Sequence, residues 1–97
     1  MYRLSVAAAR DVEQILERSM ADFGWSQTER YYASLRRCLD LLGENPAMGM
    51  KADELKLGYR RMAHESHVIF YRLMGDGILI VRILHKRMDV GRKFRTD

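Results

Sequence analysis

The chain has 97 residues, of which 47% are apolar and 31% are charged. These values are typical of a soluble globular protein and exclude an intrinsically disordered one, and the length corresponds to one small domain spanning residues 1–97. Cys38 is the single cysteine, so no internal disulfide can form. No stretch is long and apolar enough for a membrane span or a secretory signal, and we therefore expect a cytoplasmic protein.

Positive charge is concentrated in the C-terminal part of the chain. The formal net charge is +4. Residues 1–58 contain 8 Lys/Arg and 9 Asp/Glu, whereas residues 59–97 contain 9 Lys/Arg and 4 Asp/Glu. This asymmetry predicts an acidic or anionic partner for the C-terminal part, although a charged surface that only keeps the protein soluble fits equally well.

The first elements predicted are a short strand and a helix. The strand covers Tyr2–Ser5, and the helix begins with Ser5 as its N-cap and ends at Gly24. Apolar residues recur at helical spacing, which predicts a buried stripe. The members of this stripe are Ala8, Val12, Ile15, Leu16 and Phe23.

A second helix is predicted directly after the first. The sequence SQTE at Ser26–Glu29 has the pattern of a capping box, and the helix that it opens should end at Gly43. Because the connection is so short, the two helices should form an antiparallel hairpin. The buried stripe of the second helix is predicted to contain Tyr31, Leu35, Cys38, Leu39 and Leu42.

Beyond residue 58 the apolar period changes from helical spacing to alternation. Residues 44–58 are predicted to form a loop with one helical turn, followed by strands at 59–63, 67–74 and 78–85. Residues 75–77, Gly-Asp-Gly, are predicted to form a tight turn, because Asp-Gly between apolar strands is a strong hairpin signal. The third of these strands is apolar on both faces, so it should lie inside the sheet. The predicted fold is therefore α+β, with an N-terminal strand, an antiparallel helical hairpin and a three-stranded antiparallel meander.

Arg82 is the one charged residue in the most apolar strand. By strict alternation it shares a face with Ile78, Ile80 and Leu84. A buried guanidinium needs a carboxylate, because its desolvation otherwise costs several kcal/mol. Two sources remain open at this point: an acidic residue of the first helix, at position 11 or 13, or a partner protein that covers the face.

A cluster of basic residues follows the last strand, beginning with His85, Lys86 and Arg87 and continuing with Arg92 and Lys93. Such a cluster can bind phosphates or acidic side chains. Together with two further histidines at positions 64 and 67, it can also supply the acid and base of a ribonuclease. The chain has no zinc-ligand spacing, glycine-rich phosphate loop or Ser-His-Asp arrangement. We therefore expect no metal, no cofactor and no catalytic residue.

Several motifs resemble those of a known family. They are GYRR at 58–61, SHVIFYR at 66–72, VRILH at 81–85 and RMD at 87–89. In order, spacing and length, essentially the whole chain resembles the ParE toxins of ParDE toxin–antitoxin modules, which belong to the RelE/ParE toxin superfamily. The resemblance implies the fold predicted above. It also implies a toxin that arrests growth by inhibiting DNA gyrase through protein contact.

The resemblance further implies a partner. A ParD-type antitoxin, a ribbon-helix-helix protein, would neutralise the toxin in a heterotetramer or larger complex and would alone contact operator DNA. We interpret Arg82, Arg72, Tyr71, Tyr31 and Leu35 as candidate antitoxin contacts. The candidate gyrase contacts are Arg60, Arg61, His85, Lys86, Arg87, Arg92 and Lys93.

Two alternatives to gyrase inhibition remain open. The related RelE-like toxins cleave mRNA on the ribosome and place an arginine where this chain has Val68. A valine can neither bind phosphate nor stabilise transition-state charge, so a ribonuclease here would depend on His85 with Arg60 or Arg82. The other alternative is a family member that is no longer toxic and acts only as a co-repressor with its antitoxin.

Overall fold

The structure, a computed structural model, describes residues 1–95; Thr96 and Asp97, which the single predicted domain includes, lie outside the described residues. Strand β1 is followed by helices α1 and α2, a 3₁₀ turn, four further strands and a final short helix. Their bounds are β1 Tyr2–Leu4, α1 Val6–Phe23, α2 Trp25–Glu44, the 3₁₀ turn Pro46–Met48, β2 Met50–Lys51, β3 Arg60–His64, β4 His67–Met74, β5 Gly77–His85 and α3 Val90–Arg95. This order confirms the predicted α+β fold.

The five strands form one mixed sheet in the order β1-β5-β4-β3-β2. Strand β1 is parallel to β5, and the other neighbours are antiparallel. The predicted three-stranded meander is confirmed as β3, β4 and β5. The helical turn predicted within residues 44–58 is also present, but the short edge strand β2 beside it was not predicted.

Strand β5 lies between β1 and β4, as predicted for an interior strand, and elements pack on both faces of the sheet. The helical hairpin packs on one face. Its core contains Ala8, Leu35, Leu39, Leu42, Ile69, Tyr71, Ile78, Ile80 and Ile83. On the other face, α3 places the ring centroid of Phe94 5.1 Å from that of Phe70 and 5.6 Å from that of Tyr59. Helix α3 was not predicted from the sequence.

The helix hairpin turns on a single glycine. The Ser5 hydroxyl accepts a hydrogen bond of 3.0 Å from the Ala8 amide, which confirms the predicted N-cap of α1. Gly24 ends α1 with a φ of 84°, a left-handed conformation that glycine adopts without Cβ strain.

The predicted capping box of α2 is wrong. Helix α2 begins at Trp25 with Gly24 as its N-cap, so Ser26 already lies within the first turn. The same glycine ends one helix and begins the next, and no position remains between them for a capping serine. Thr28 instead donates its hydroxyl proton to the Gly24 carbonyl at 2.8 Å.

A β-bulge interrupts the pairing of the two central strands. Phe70 lies opposite Arg82, and Tyr71 lies opposite Ile80. Val81 is therefore an extra residue on β5, and the alternation of its side chains shifts by one position beyond this point.

The bulge corrects the face that strict alternation assigned to Arg82. Beyond it, Ile83 joins Ile78 and Ile80 in the core beneath the helices. Leu84 is buried on the opposite face. It lies opposite Val68 on β4, and Val68 alternates with the core residue Ile69. Arg82 therefore does not share a face with Ile78 and Ile80, and the prediction of a common face was wrong.

The hydroxyl of Tyr71 holds the segment between α2 and β2 against the sheet. It accepts a hydrogen bond of 2.9 Å from the Gly49 amide and donates one of 2.7 Å to the Pro46 carbonyl. A Cβ atom at Gly49 would lie 2.8 Å from the Arg61 carbonyl oxygen, so only glycine fits there. The Pro-Ala-Met-Gly sequence is thus explained by its contact with one buried tyrosine.

We predict that Tyr71→Phe lowers the free energy of unfolding by about 1–3 kcal/mol, because the buried Gly49 amide loses its acceptor. Urea unfolding followed by circular dichroism measures this change. Tyr32→Phe is the matched control, since Tyr32 is exposed and its loss should change stability by less than about 0.5 kcal/mol. Equal stability of the Tyr71→Phe variant and the unchanged protein would contradict this role.

Candidate functional site

Arg82 is paired within the chain. Its Nε and Nη2 atoms donate to the two carboxylate oxygens of Asp11 at 2.8 and 2.9 Å, and Asp11 Oδ2 also accepts from the Ile83 amide at 2.9 Å. Asp11 is only 7% exposed. Of the two sources of an acid that the sequence left open, the first helix or a partner protein, the structure shows the first helix, which supplies Asp11. A contact of Arg82 with an antitoxin stays a prediction, and its charge is already balanced by Asp11.

Four of the candidate gyrase contacts form one group, which we call the basic segment: Lys86, Arg87, Arg92 and Lys93. All four side chains are exposed, on the turn after β5 and on α3. The backbone beneath them is held by hydrogen bonds of the Lys86 amide to the Ser66 carbonyl at 2.9 Å and of the Arg92 amide to Asp89 Oδ1 at 3.1 Å. The segment thus presents cations to solvent from an anchored backbone.

Of the other three candidates, His85 directly precedes this group and accepts a hydrogen bond from the Arg87 amide, whereas Arg60 and Arg61 lie on β3. Arg61 pairs with the carboxylate of Glu54, and Arg60 donates to the Gly49 carbonyl at 2.6 Å. Because neighbouring residues of a strand point to opposite faces, Arg60 and Arg61 flank the sheet on different sides. The structure therefore places two of the seven candidates on β3 and the other five at the end of β5, on the turn that follows it and on α3.

The pairing of Arg60 with His85 that a ribonuclease would need is not assembled. Arg60 lies opposite Tyr71 on β4, whereas His85 lies opposite His67. These two positions are four residues apart along β4, a separation of about 13 Å at the rise of a strand. The alternative pairing with Arg82 would use a guanidinium that is bound to a buried carboxylate.

The candidate antitoxin contacts differ in their access to solvent. Arg72 is exposed and Tyr31 is half-buried. Leu35 and Tyr71 are fully buried in the core. These two side chains can support a binding surface only from beneath it.

Three histidines from three strands form a row, which we call the histidine row: His64, His67 and His85. His64 lies opposite His67, and His67 lies opposite His85. Helix α2 covers the row: the hydroxyl oxygen of Tyr31 lies 2.6 Å from His67 Nδ1, and that of Ser34 lies 3.1 Å from His64 Nε2. The sequence showed these histidines near a turn, but only the strand register places them side by side.

The environment of His67 and of Tyr31 favours their neutral forms. Burial lowers the pKa of His67, and the neighbouring His85 and His64 lower it further. Burial, with a contribution from Glu65, raises the pKa of Tyr31 to about 12. At neutral pH the hydrogen-bonded side chains of His67 and Tyr31 are therefore uncharged. Within residues 1–95, no three His, Cys, Asp or Glu side chains are arranged so that they could hold a metal ion.

An apolar groove lies on the outer side of the helical hairpin. Its lining comes from both helices and includes two carboxylates at the rim. The lining residues are Leu16, Glu17, Met20, Trp25, Thr28, Glu29 and Tyr32. Trp25 is 68% exposed, which is a large apolar surface for a small protein.

Phe23 corrects the predicted stripe of α1. It was placed in the core, but it is 62% exposed beside the groove. Leu16, Met20 and Phe23 are spaced by four and three residues and form a second stripe, on the outer side of the helix. In the sequence, this second stripe is the signal for the groove. The prediction combined its members Leu16 and Phe23 with the buried stripe.

In the part of the chain that the structure describes, no helix is both long enough and apolar enough to cross a membrane.

The comparisons with known proteins agree on one family. The family model for the ParE toxin of the type II toxin–antitoxin system parDE matches residues 2–90. Toxin ParE1 of Mycobacterium tuberculosis is 40% identical over 92 residues, which is 94% of each chain. Toxin ParE1 of Caulobacter vibrioides is 39% identical over 88 residues, 91% of each chain. The chain therefore belongs to the ParE toxins of type II toxin–antitoxin systems.

Two further matches agree with this. Toxin ParE of Escherichia coli is 34% identical over 92 residues, covering 92% of this chain and 87% of the relative. A solved structure described as the chromosomal ParDE TA system from P. aeruginosa superposes with a TM-score of 0.75 at 19% identity, over 87% of this chain and 92% of that one. This structure supports the fold that the family shares.

Proposed function

We propose that this ParE-family protein inhibits DNA gyrase by direct protein contact, without catalysis, in the bacterial cytoplasm. In this proposal a ParD-type antitoxin neutralises it. The observation that carries the proposal is the basic segment, whose four exposed cations lie on a turn and a helix with hydrogen-bonded backbones. Nothing in such a surface requires a chemical step.

The basic segment is suited to an acidic protein surface. Phe94 packs α3 against Phe70 and Tyr59, which fixes the helix that carries Arg92 and Lys93 against the sheet. Clustered charge of one sign attracts an oppositely charged partner and raises the rate of encounter. Binding to gyrase should accordingly weaken as the salt concentration rises.

The geometry gives little support to mRNA cleavage. Val68 occupies the position at which the resemblance places a phosphate-binding arginine in RelE-like toxins. Arg60 is engaged by backbone carbonyls, and Arg82 is bound to Asp11. Tyr31, the tyrosine nearest to a histidine, has a pKa of about 12 and is a weak acid or base at neutral pH.

Two reactions performed in parallel test the proposal. Purified protein is added to a gyrase supercoiling reaction and, separately, to cell-free translation. We expect loss of supercoiling while the mRNA on the ribosomes stays intact. Cleaved mRNA with normal supercoiling would contradict the proposal and favour the ribonuclease.

The apolar groove on the hairpin supports an antitoxin partner. Its exposed lining would be covered in a complex, and Glu17 and Glu29 at its rim would favour a segment with flanking Lys or Arg. An amphipathic helix of the antitoxin has the shape for such a groove. A contact of the antitoxin with Arg72, which lies on β4, stays a prediction.

We predict that Trp25→Asp weakens antitoxin binding about 30-fold or more, because large aromatic side chains in grooves dominate binding energy. Calorimetric titration of the toxin variant with antitoxin measures this effect. Leu57→Asp is the control, since Leu57 is 87% exposed and is not among the residues that line the groove. Retained affinity of the Trp25→Asp variant would show that the antitoxin lies elsewhere.

A further inference from the structure

We propose that the histidine row makes the structure sensitive to pH. Mild acidification loosens the contact between α2 and the sheet, and it also loosens the turn that leads into the basic segment. His64, His67 and His85 lie side by side at the end of the sheet, beneath α2. No step of gyrase inhibition is needed for this inference, and it does not depend on the proposed target.

Each element packed against His67 contributes a group that responds to its charge. His85 of β5 has its ring centroid 5.5 Å away, and Tyr31 of α2 has its centroid 5.6 Å away. On β3, His64 is directly opposite. A proton on His85 or His64 repels a proton on His67.

One carboxylate of the β3–β4 turn acts in the opposite sense. Glu65 favours a proton on His67, and its carboxylate lies 3.5 Å from His64 Nε2. Glu65 is exposed, so solvent screens its charge. The cations of Lys86 and Arg87, which follow β5 directly, add positive charge at the same end of the sheet. Protonation of His67 is therefore disfavoured on balance.

His85 connects the row to the basic segment. Its Nδ1 atom accepts a hydrogen bond of 3.1 Å from the Arg87 amide, so the ring proton resides on Nε2. A second proton can only be added at Nδ1, which then cannot accept. The Arg87 amide thereby loses this partner, and the turn that leads to α3 is released at this point.

The direction of the pH effect follows from His67. Its folded pKa lies below the ordinary value of 6.5, chiefly through burial. As the pH falls below about 6.5, the unfolded chain takes up the proton before the folded one, so stability that is present above this pH is progressively lost. One such proton lowers the folding equilibrium constant by up to about tenfold per pH unit.

The first test compares urea unfolding of the full chain at pH 7.5 and pH 5.5 with that of His67→Gln, which keeps a polar side chain but does not titrate. Between these pH values the folding constant of the unchanged protein should fall up to about tenfold more than that of the variant. Other titrating groups are common to both and cancel. An equal loss in the two proteins would overturn the proposal.

The second test uses only the unchanged protein, so it stands even where the variant does not fold. Nuclear magnetic resonance follows the histidine ring signals and amide exchange during acidification. We expect His67 to be half-protonated below pH 6.5 and the Arg87 amide to lose protection relative to the Lys93 amide, which donates to the Asp89 carbonyl at 3.1 Å. Titration of His67 at or above pH 6.5, or unchanged relative protection of Arg87, would overturn the proposal.

Discussion

Reversal of two charges in the basic segment, Lys86→Glu with Arg87→Glu, is expected to weaken gyrase inhibition about 10- to 100-fold. Both side chains are exposed on the turn after β5, so their replacement removes attraction to an acidic surface and introduces repulsion. The fold should be retained, since neither side chain is buried. The concentration that halves supercoiling activity measures the effect.

The matched control is Arg3→Glu with Arg10→Glu, which changes the net charge equally on exposed positions of β1 and α1. This control should inhibit gyrase nearly as well as the unchanged protein. Growth arrest in cells should follow the same order. Undiminished gyrase inhibition and growth arrest by the Lys86→Glu/Arg87→Glu variant would show that the basic segment is not the surface that binds gyrase.

Asp11→Ala is expected to lower the free energy of unfolding by about 3–5 kcal/mol. The buried carboxylate binds the Arg82 guanidinium through both oxygens and also accepts from the Ile83 amide. Its removal takes this acceptor away from the Arg82 guanidinium and from the Ile83 amide, where water has little access. Because small domains are only marginally stable, this change should populate the unfolded state. Urea unfolding measures it.

Three further variants separate the ion pair from simple loss of packing. Glu13→Ala, on an exposed position of the same helix, should change stability by less than about 0.5 kcal/mol. In a double-mutant cycle, Arg82→Met with Asp11→Ala should be less destabilised than the sum of the two single variants. Additive effects would show that Asp11 and Arg82 do not stabilise each other.

Local chemistry predicted much of the fold. Alternation of apolar residues identified β3, β4 and β5, and the need of a buried guanidinium for an acid pointed to Asp11 among the candidates for Arg82. The turn after β4 also follows its local sequence. Its loop is Gly75 and Asp76, with Gly75 at a φ of 63°, as expected for glycine at the first central position of a type II′ turn.

The errors arise where one residue serves two elements or where pairing shifts. Gly24 ends α1 and also begins α2, which removed the predicted capping box. The extra residue Val81 moved Arg82 off the core face, and a bulge leaves no mark in an apolar strand. Phe23 was assigned to the core because two apolar stripes on α1 overlap in sequence.

The features that sequence missed depend on contacts between distant residues. The short strand β2 and the turn before it are held by Tyr71, more than twenty positions away, and α3 is held by Phe94 against Phe70. The histidine row exists only through the register of three strands. None of these contacts has a local signature, so each required the assembled sheet.

Binding of gyrase to the purified protein tests the central claim most directly. The toxin is immobilised, and gyrase is passed over it without DNA or nucleotide at low and at high salt. Saturable binding that weakens as the salt concentration rises is the predicted result, since the contact is proposed to be protein-only and charge-assisted. Absence of binding at either salt concentration, together with cleaved mRNA on ribosomes, would contradict the account.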